Sequence, residues 1–220
     1  TIANSATNPF RAATVQTESR GLTFFIPAPF NALGSSVSNV RRTIYDVEAA
    51  LAFGPYKVQS DYIQATYAST TEGVTPLDFQ RSLKAAYVTF GWMLTGENYS
   101  DIYREGTFNR PRPNNNFQWG QPGANGLWEL NMRYSWFDGS DFNTSNPTNT
   151  GRPGTSASFS NITTGTNGAT AWTLGLKWQP NLYLRVALNL IRTDFDTPVT
   201  VNGHQTSSER AVTMRAQMDF

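Results

Sequence analysis

The sequence predicts an all-β protein built as an antiparallel transmembrane β-barrel. Three observations lead there. Long segments alternate apolar and polar residues, no apolar run is long enough for a membrane-crossing helix, and tight turns alternate with long polar connections. Period-two alternation marks a strand with one apolar and one polar face. A membrane barrel needs nothing more hydrophobic than that, because only alternate residues meet lipid and the lumen side is polar. A soluble β-sandwich also uses such strands, so the choice between the two rests on strand length, aromatic placement and the pattern of connections.

Composition narrows the field. Hydrophobic residues make up 39% of the 220 residues and the mean hydropathy is −0.43, too low for a helical membrane protein. No stretch approaches the 18 or so consecutive apolar residues of a transmembrane helix. There are no cysteines, which removes a disulfide framework and thiolate metal sites. A formal charge of +1 gives no reason to expect nucleic acid as a partner. The chain starts at Thr1 without Met or a signal peptide, and is read as a mature product or a piece of something longer.

Eight segments read as strands: residues 10–18, 42–53, 56–66, 81–95, 127–137, 171–178, 182–193 and 209–220. The second sets Tyr45, Val47, Ala49, Leu51 and Phe53 against Asp46, Glu48 and Ala50. The fifth sets Trp128, Leu130, Met132, Tyr134 and Trp136 against Glu129, Asn131, Arg133 and Ser135. In the seventh, Leu184, Val186 and Leu188 are expected to face outward at mid-membrane, with Arg185 and Ala187 inward. The eighth sets Val212, Met214, Ala216, Met218 and Phe220 against Ala211, Thr213, Arg215, Gln217 and Asp219. It stops on an aromatic residue, as the last strand of bacterial outer-membrane barrels typically does. Most segments have the length of a tilted membrane-crossing strand, about 9–11 residues, where soluble strands average about 5–6. Trp128 and Trp136 share a face about 26 Å apart along the strand. With strand tilt this approaches the ~25 Å apolar band between aromatic girdles.

The connections follow the asymmetry of outer-membrane barrels, with short turns on one side and long loops on the other. Phe53-Gly54-Pro55-Tyr56 and Trp178-Gln179-Pro180-Asn181 are tight turns, while 19–41, 67–80, 138–169 and 194–208 are long and polar. The connection 96–126 lies on the tight-turn side yet is long. It is expected to be ordered without transmembrane strands and to lie across the periplasmic mouth. Tyr103, Phe108, Phe117 and Trp119 are expected to fix it there, with Arg104, Arg110 and Arg112 near the pore exit.

Several motifs together resemble the phosphate-selective porin O and P family. They are Glu48-Ala49-Ala50-Leu51 leading into Gly54-Pro55-Tyr56, Trp92-Met93-Leu94-Thr95-Gly96-Glu97, and Gly106-Thr107-Phe108-Asn109-Arg110-Pro111. Trp128-Glu129-Leu130, Arg133-Tyr134-Ser135 and the ending Arg215-Ala216-Gln217-Met218-Asp219-Phe220 complete the set. The resemblance implies a sixteen-stranded barrel in the bacterial outer membrane, usually a homotrimer, that passes anions and in some members phosphate. It covers the family's C-terminal half, so residues 1–220 read as a single barrel domain with about eight strands, either closed alone as a small barrel or, the favoured reading, part of a larger pore.

The residues that would carry the chemistry are those of the inward faces. Lys57, Arg133, Lys177, Arg185 and Arg215, with Glu48 and Glu129, are the candidate pore-lining residues, and Asp46 and Asp61 share that side. Arginine suits anion passage because its planar fork binds oxyanions in a bidentate way and stays charged. Arg133, Arg185 and Arg215 are expected to form a basic track, and Glu129 to neutralise part of the charge of Arg133. The cations and anions are otherwise nearly balanced, and only three lysines are present. The expected function is therefore an outer-membrane porin for passive diffusion of small solutes, with anions such as phosphate as the candidate preferred permeants. The alternative is a structural or anchoring barrel with a filled, non-conducting lumen. The expected partners are outer-membrane lipid, further copies in a homotrimer and small anionic solutes, with no nucleic acid. An enzyme is not expected: His204, the sole histidine, falls in a polar stretch, and Glu97 and Glu105 have no converging partners. No metal, cofactor or phosphate-binding glycine loop is expected, since 151–168 lacks the required Lys and helix start.

Overall fold

The structure, a computed structural model, describes residues 2–3, 10–27, 39–70, 78–142 and 162–219. In chain order its strands are β1 (Ile2–Ala3), β2 (Val15–Gln16), β3 (Thr23–Pro27), β4 (Asn39–Phe53), β5 (Tyr56–Thr70), β6 (Asp78–Met93) and β7 (Tyr103–Arg104). There follow β8 (Thr107–Phe108), β9 (Leu127–Asp138), β10 (Ile162–Gly165), β11 (Gly168–Gln179), β12 (Leu184–Val201) and β13 (His204–Met218). No helix among the described residues is long and apolar enough to cross a membrane.

One antiparallel sheet runs in the order β1-β4-β5-β6-β9-β11-β12-β13. Apart from β1, its strands are 12 to 18 residues long. Among the described residues the sheet does not close on itself: β13 pairs only with β12, and β1 only with β4. The register sorts side chains into two faces. One row across the sheet reads Leu51, Val58, Phe90, Met132, Leu174, Leu190 and Val212, all exposed. The next row reads Ala50, Gln59, Thr89, Arg133, Thr173, Ile191 and Ala211 and faces the other way. The first face is a bare apolar band and the second is polar and partly covered.

Aromatic residues flank the bare band. At the tight-turn end Trp128 stacks on Trp178 with centroids 5.7 Å apart, and Tyr56 lies 5.9 Å from Trp92. At the opposite end Tyr134 and Trp172 lie 4.7 Å apart. Such girdles are the mark of a sheet held between two membrane interfaces. Leu184, Val186 and Leu188 do alternate onto the bare face, but Val186 sits beside Trp178 at one end of the band. The middle of the band falls instead at Leu190.

A second sheet of three short strands, in the order β10-β3-β2, lies on the covered face. It is held by an aromatic core: Phe24 meets Phe137 and Phe195 with centroids 5.6 Å away in each case, and Phe25 meets Phe137 at 5.1 Å and Phe142 at 5.6 Å. Tyr67, Leu83 and Val199 complete the cluster. The predicted first strand, 10–18, is thereby corrected. Only Val15–Gln16 forms a strand, and the segment crosses the polar face rather than joining the wall. Its residues meet the wall through Phe10 and Glu18 and pair with β3, so no lipid-facing row is imposed on them.

The predicted polar loop 194–208 is also corrected. The strands β12 and β13 continue to Val201 and His204, and close on the two-residue turn Asn202–Gly203. Both turn residues have positive φ, 49° and 81°, the backbone that a two-residue hairpin of matching twist demands and that Asn-Gly supplies at little cost. A register shift between Asp194 and Val199 absorbs the intervening residues. Of the remaining predicted loops, 28–38, 71–77 and 143–161 lie outside the described residues, as does Phe220.

The two faces can be separated experimentally. Leu190→Arg places a cation in the centre of the apolar band and should destabilise folding into bilayers by about 2–4 kcal/mol. Asn189→Arg, one residue away on the polar face, should cost much less. Equal losses, measured by urea titration in lipid vesicles, would reverse the facing.

Candidate functional site

All seven candidate residues lie on the covered face, as the register requires, but their charges are arranged in ways the sequence pattern did not show. The tight-turn end holds the most buried of the seven. Glu129 is 2% exposed and stands between two lysines, Lys57 at 3.9 Å and Lys177 in direct contact. Lys57 comes from β5 and Lys177 from β11, and Glu129 on β9 pairs directly with Lys177 in register. Gly91 on β6 gives the Lys57 chain its path, because a Cβ there would lie 2.8 Å from the Lys57 Cε and 2.6 Å from the Tyr99 hydroxyl. Tyr99 closes the cluster from outside the wall, its ring 4.8 Å from the Lys57 Nζ. Burial, and behind it the charge of Glu129, push the Tyr99 phenol well above its ordinary range.

Tyr99 belongs to the long connection on the tight-turn side. As expected, 96–126 contains no transmembrane strand, only the small hairpin of β7 and β8. Its Tyr99 N–H donates to the Gly54 carbonyl at 2.8 Å, and its Phe117 N–H to the Pro180 carbonyl at 2.7 Å. Gln179 Nε2 donates to the Pro111 carbonyl at 2.9 Å. Tyr99, Tyr103 and Phe108 form one aromatic group, and Phe117 packs on Trp178 at 5.3 Å. Trp119 does not anchor the segment, being 92% exposed. Of the three arginines there, Arg110 pairs with Asp219 just past β13. Hydrogen bonding from Gln217, with the nearby Arg110 and Arg185 charges, holds the Asp219 carboxyl below its usual range.

The middle of the covered face is organised by Glu18, which the sequence reading did not single out. Its carboxylate takes an ion pair from Arg133 Nε at 3.0 Å and hydrogen bonds from Ser135 Oγ at 2.6 Å and Thr173 Oγ1 at 2.5 Å. The Arg133 guanidinium also lies 3.9 Å over the Tyr87 ring. A second carboxylate, Glu209 on β13, accepts from Ser19 Oγ at 2.7 Å and from the Leu22 N–H at 3.3 Å. The expectation that Glu129 offsets Arg133 is corrected: Glu129 serves the two lysines, and Arg133 is offset by Glu18. No sequence signal could have announced this, since Glu18 and Arg133 are far apart in the chain and meet only through the inward fold of 10–27.

The remaining charges separate across the wall. Asp46, Glu48 and Asp61 on β4 and β5 bring carboxylate oxygens within 4.8 Å of one another, with Asp46 and Glu48 exposed. Arg185 and Arg215 stand on β12 and β13, and among the described residues neither forms an ion pair within 4 Å. His204 opens β13 and is exposed.

The family model described as phosphate-selective porin O and P matches residues 32–220. No curated protein matches the chain.

The Glu129 cluster yields two expectations. Glu129→Gln leaves two lysines facing each other without a counter-charge and should cost on the order of 3 kcal/mol, as when one member of a buried ion pair is removed. Lys177→Met together with Glu129→Leu should cost less than Glu129→Gln alone. The Tyr99 phenol, raised above its unfolded value of about 10, favours the folded state below that pH and loses the contribution as pH rises through the folded value. A Tyr99→Phe difference titration of phenolate absorbance should therefore show no phenolate from Tyr99 before alkaline unfolding.

Proposed function

Because the chain belongs to the phosphate-selective porin O and P family, an outer-membrane family, we propose that it builds part of the wall of a water-filled channel. Small solutes diffuse through it passively, with anions, phosphate among them, preferred. The observation that carries this reading is the eight-stranded sheet with an exposed apolar face and an opposite face of charged and hydrogen-bonding residues. An apolar band between aromatic girdles suits contact with lipid, and a charged face suits water and ions.

Unpaired strand edges cannot be left in hydrocarbon, where nothing satisfies their N–H and C=O groups. The edges of β4 and β13 that are unpaired among the described residues support closure with further strands, to the sixteen that the family resemblance implies, and assembly as a homotrimer is proposed on that resemblance alone. The chain is read as having no catalytic role. Anion preference is assigned to Arg185 and Arg215, because among the described residues they form no ion pair within 4 Å, whereas Lys57, Lys177 and Arg133 are each paired with a carboxylate. The acidic group on β4 and β5 lies across the same wall and would draw cations, so the preference is modest.

A second reading has its own support. The strands β2, β3 and β10 cover part of the polar face, as in a barrel whose lumen is filled and whose role is anchoring. Conductance in planar bilayers separates the two, since a filled barrel carries no steady current.

In the channel reading, replacing Arg185 and Arg215 together by Gln should move the reversal potential in a salt gradient towards cations. Screening acts over about 10 Å at 0.1 M salt and about 3 Å at 1 M, so the shift should fade as ionic strength rises. A reversal potential unmoved at low salt would remove these two arginines from any role in selectivity.

A further inference from the structure

The contacts of Glu18 describe more than a tether. A guanidinium in ion-pair contact, with an aromatic ring beneath it, and two hydroxyls that donate hydrogen bonds from neighbouring strands surround one carboxylate. Register makes the set rigid. Arg133 pairs directly with Thr173, and Ser135 is two residues along β9 on the same face. The donors therefore belong to the wall, while the acceptor belongs to the segment folded over it. Charged donors and hydroxyls in this arrangement suit any oxyanion of similar shape.

The carboxylate is not sealed in. The Arg133 side chain is 41% exposed and that of Glu18 is 22% exposed, and ion pairs with that much contact with water hold with little net energy. Beside them lies a cavity of about 200 Å³ lined at its polar part by Glu18, Asp61, Arg133 and Ser135 and elsewhere largely by apolar side chains such as Phe24 and Ile63. At about 30 Å³ per water, it has room for several waters beside the carboxylate.

We propose that Arg133, Ser135 and Thr173 form an oxyanion-binding site on the wall, and that Glu18 of the inward segment is its resident occupant, competing with oxyanions from solution. The proposal rests on the channel reading for its role in permeation, but the binding itself does not. A tethered carboxylate acts at an effective concentration on the order of millimolar or above. Free oxyanion at lower concentration leaves Glu18 in place, and higher concentration displaces it. The wall would thus present a neutral pair to dilute solutions and a binding cation to concentrated ones.

Inorganic phosphate is the probe, titrated by calorimetry into the full-length protein in detergent and then added to planar bilayers carrying chloride current. Glu18→Gln keeps the shape of the side chain and removes the competing charge, so phosphate should bind roughly tenfold tighter or better, a factor worth about 1.4 kcal/mol. Glu18→Ala serves as a second variant and should give a gain of the same sign. The gain should vanish when Arg133→Gln is added. Asp61→Asn removes a negative charge from the same cavity without freeing the donors, and should give a smaller gain. In bilayers, phosphate should reduce the chloride current of Glu18→Gln at lower concentration than that of the unmodified protein. No gain in both Glu18 variants, a gain that survives Arg133→Gln, or an equal gain from Asp61→Asn would each overturn the site. A protein that shows the binding pattern but passes no current would overturn the channel reading and leave the site standing.

Discussion

Every long strand of the wall hydrogen-bonds to its neighbour in antiparallel register, and the rest of the structure depends on that ladder. In a medium without water a backbone N–H or C=O has no other partner. The consequence is an unbroken pairing from β4 to β13 with one register shift among the long strands. Because the side-chain period is two, one register also fixes which residues meet lipid, and a slip of one residue would turn Leu190 inward and Arg185 outward. The single irregularity in the long pairs, between Asp194 and Val199, falls beyond the apolar band, where a disturbed ladder can be hydrated.

Placing charge on the polar face solves one problem and creates another. Removing a carboxylate and two ammonium groups from water costs several kcal/mol for each ion unless they compensate one another. Glu129 is compensated from both sides, and the aromatic ring of Tyr99 covers the Lys57 ammonium. This group acts as a structural fastening between the wall and the long connection at the tight-turn end. Arg133 differs because its partner arrives on a separate segment and both remain in contact with water. Two pairs of the same formal type thus have different consequences, one for stability and one for exchange with solutes.

The two segments that depart from a plain meander dock by the same kind of contact. The connection 96–126 is attached through backbone hydrogen bonds to the turns at Gly54 and Pro180 and through rings on Lys57 and Trp178. The segment 10–27 is attached through Glu18 and Glu209 at its polar part and through Phe24 and Phe25 at its apolar part. In each case aromatic rings pack against the wall, and a few directed polar contacts set the position.

The sequence by itself determined the seven long strands, their facing and the bare apolar band, because a half-buried strand imposes a period of two that any reader of the chain can detect. The absence of transmembrane strands from 96–126 was legible for a similar reason, in its Pro, Asn and Gly content. Strand ends were less legible. The Asn202–Gly203 turn reads as part of a loop because the polar residues before it belong to strand that extends beyond the membrane band, where the apolar signal disappears. The candidate residues were legible as a set on one face, but their partners were not. Periodicity tells which way a side chain points and says nothing about which distant residue stands opposite. Only the tertiary structure decided that Glu129 serves Lys57 and Lys177, that Tyr99 covers them, and that residues 10–18 leave the wall to bring Glu18 to Arg133. Those are contacts between elements remote in sequence, and their energies depend on burial and distance that no local pattern encodes.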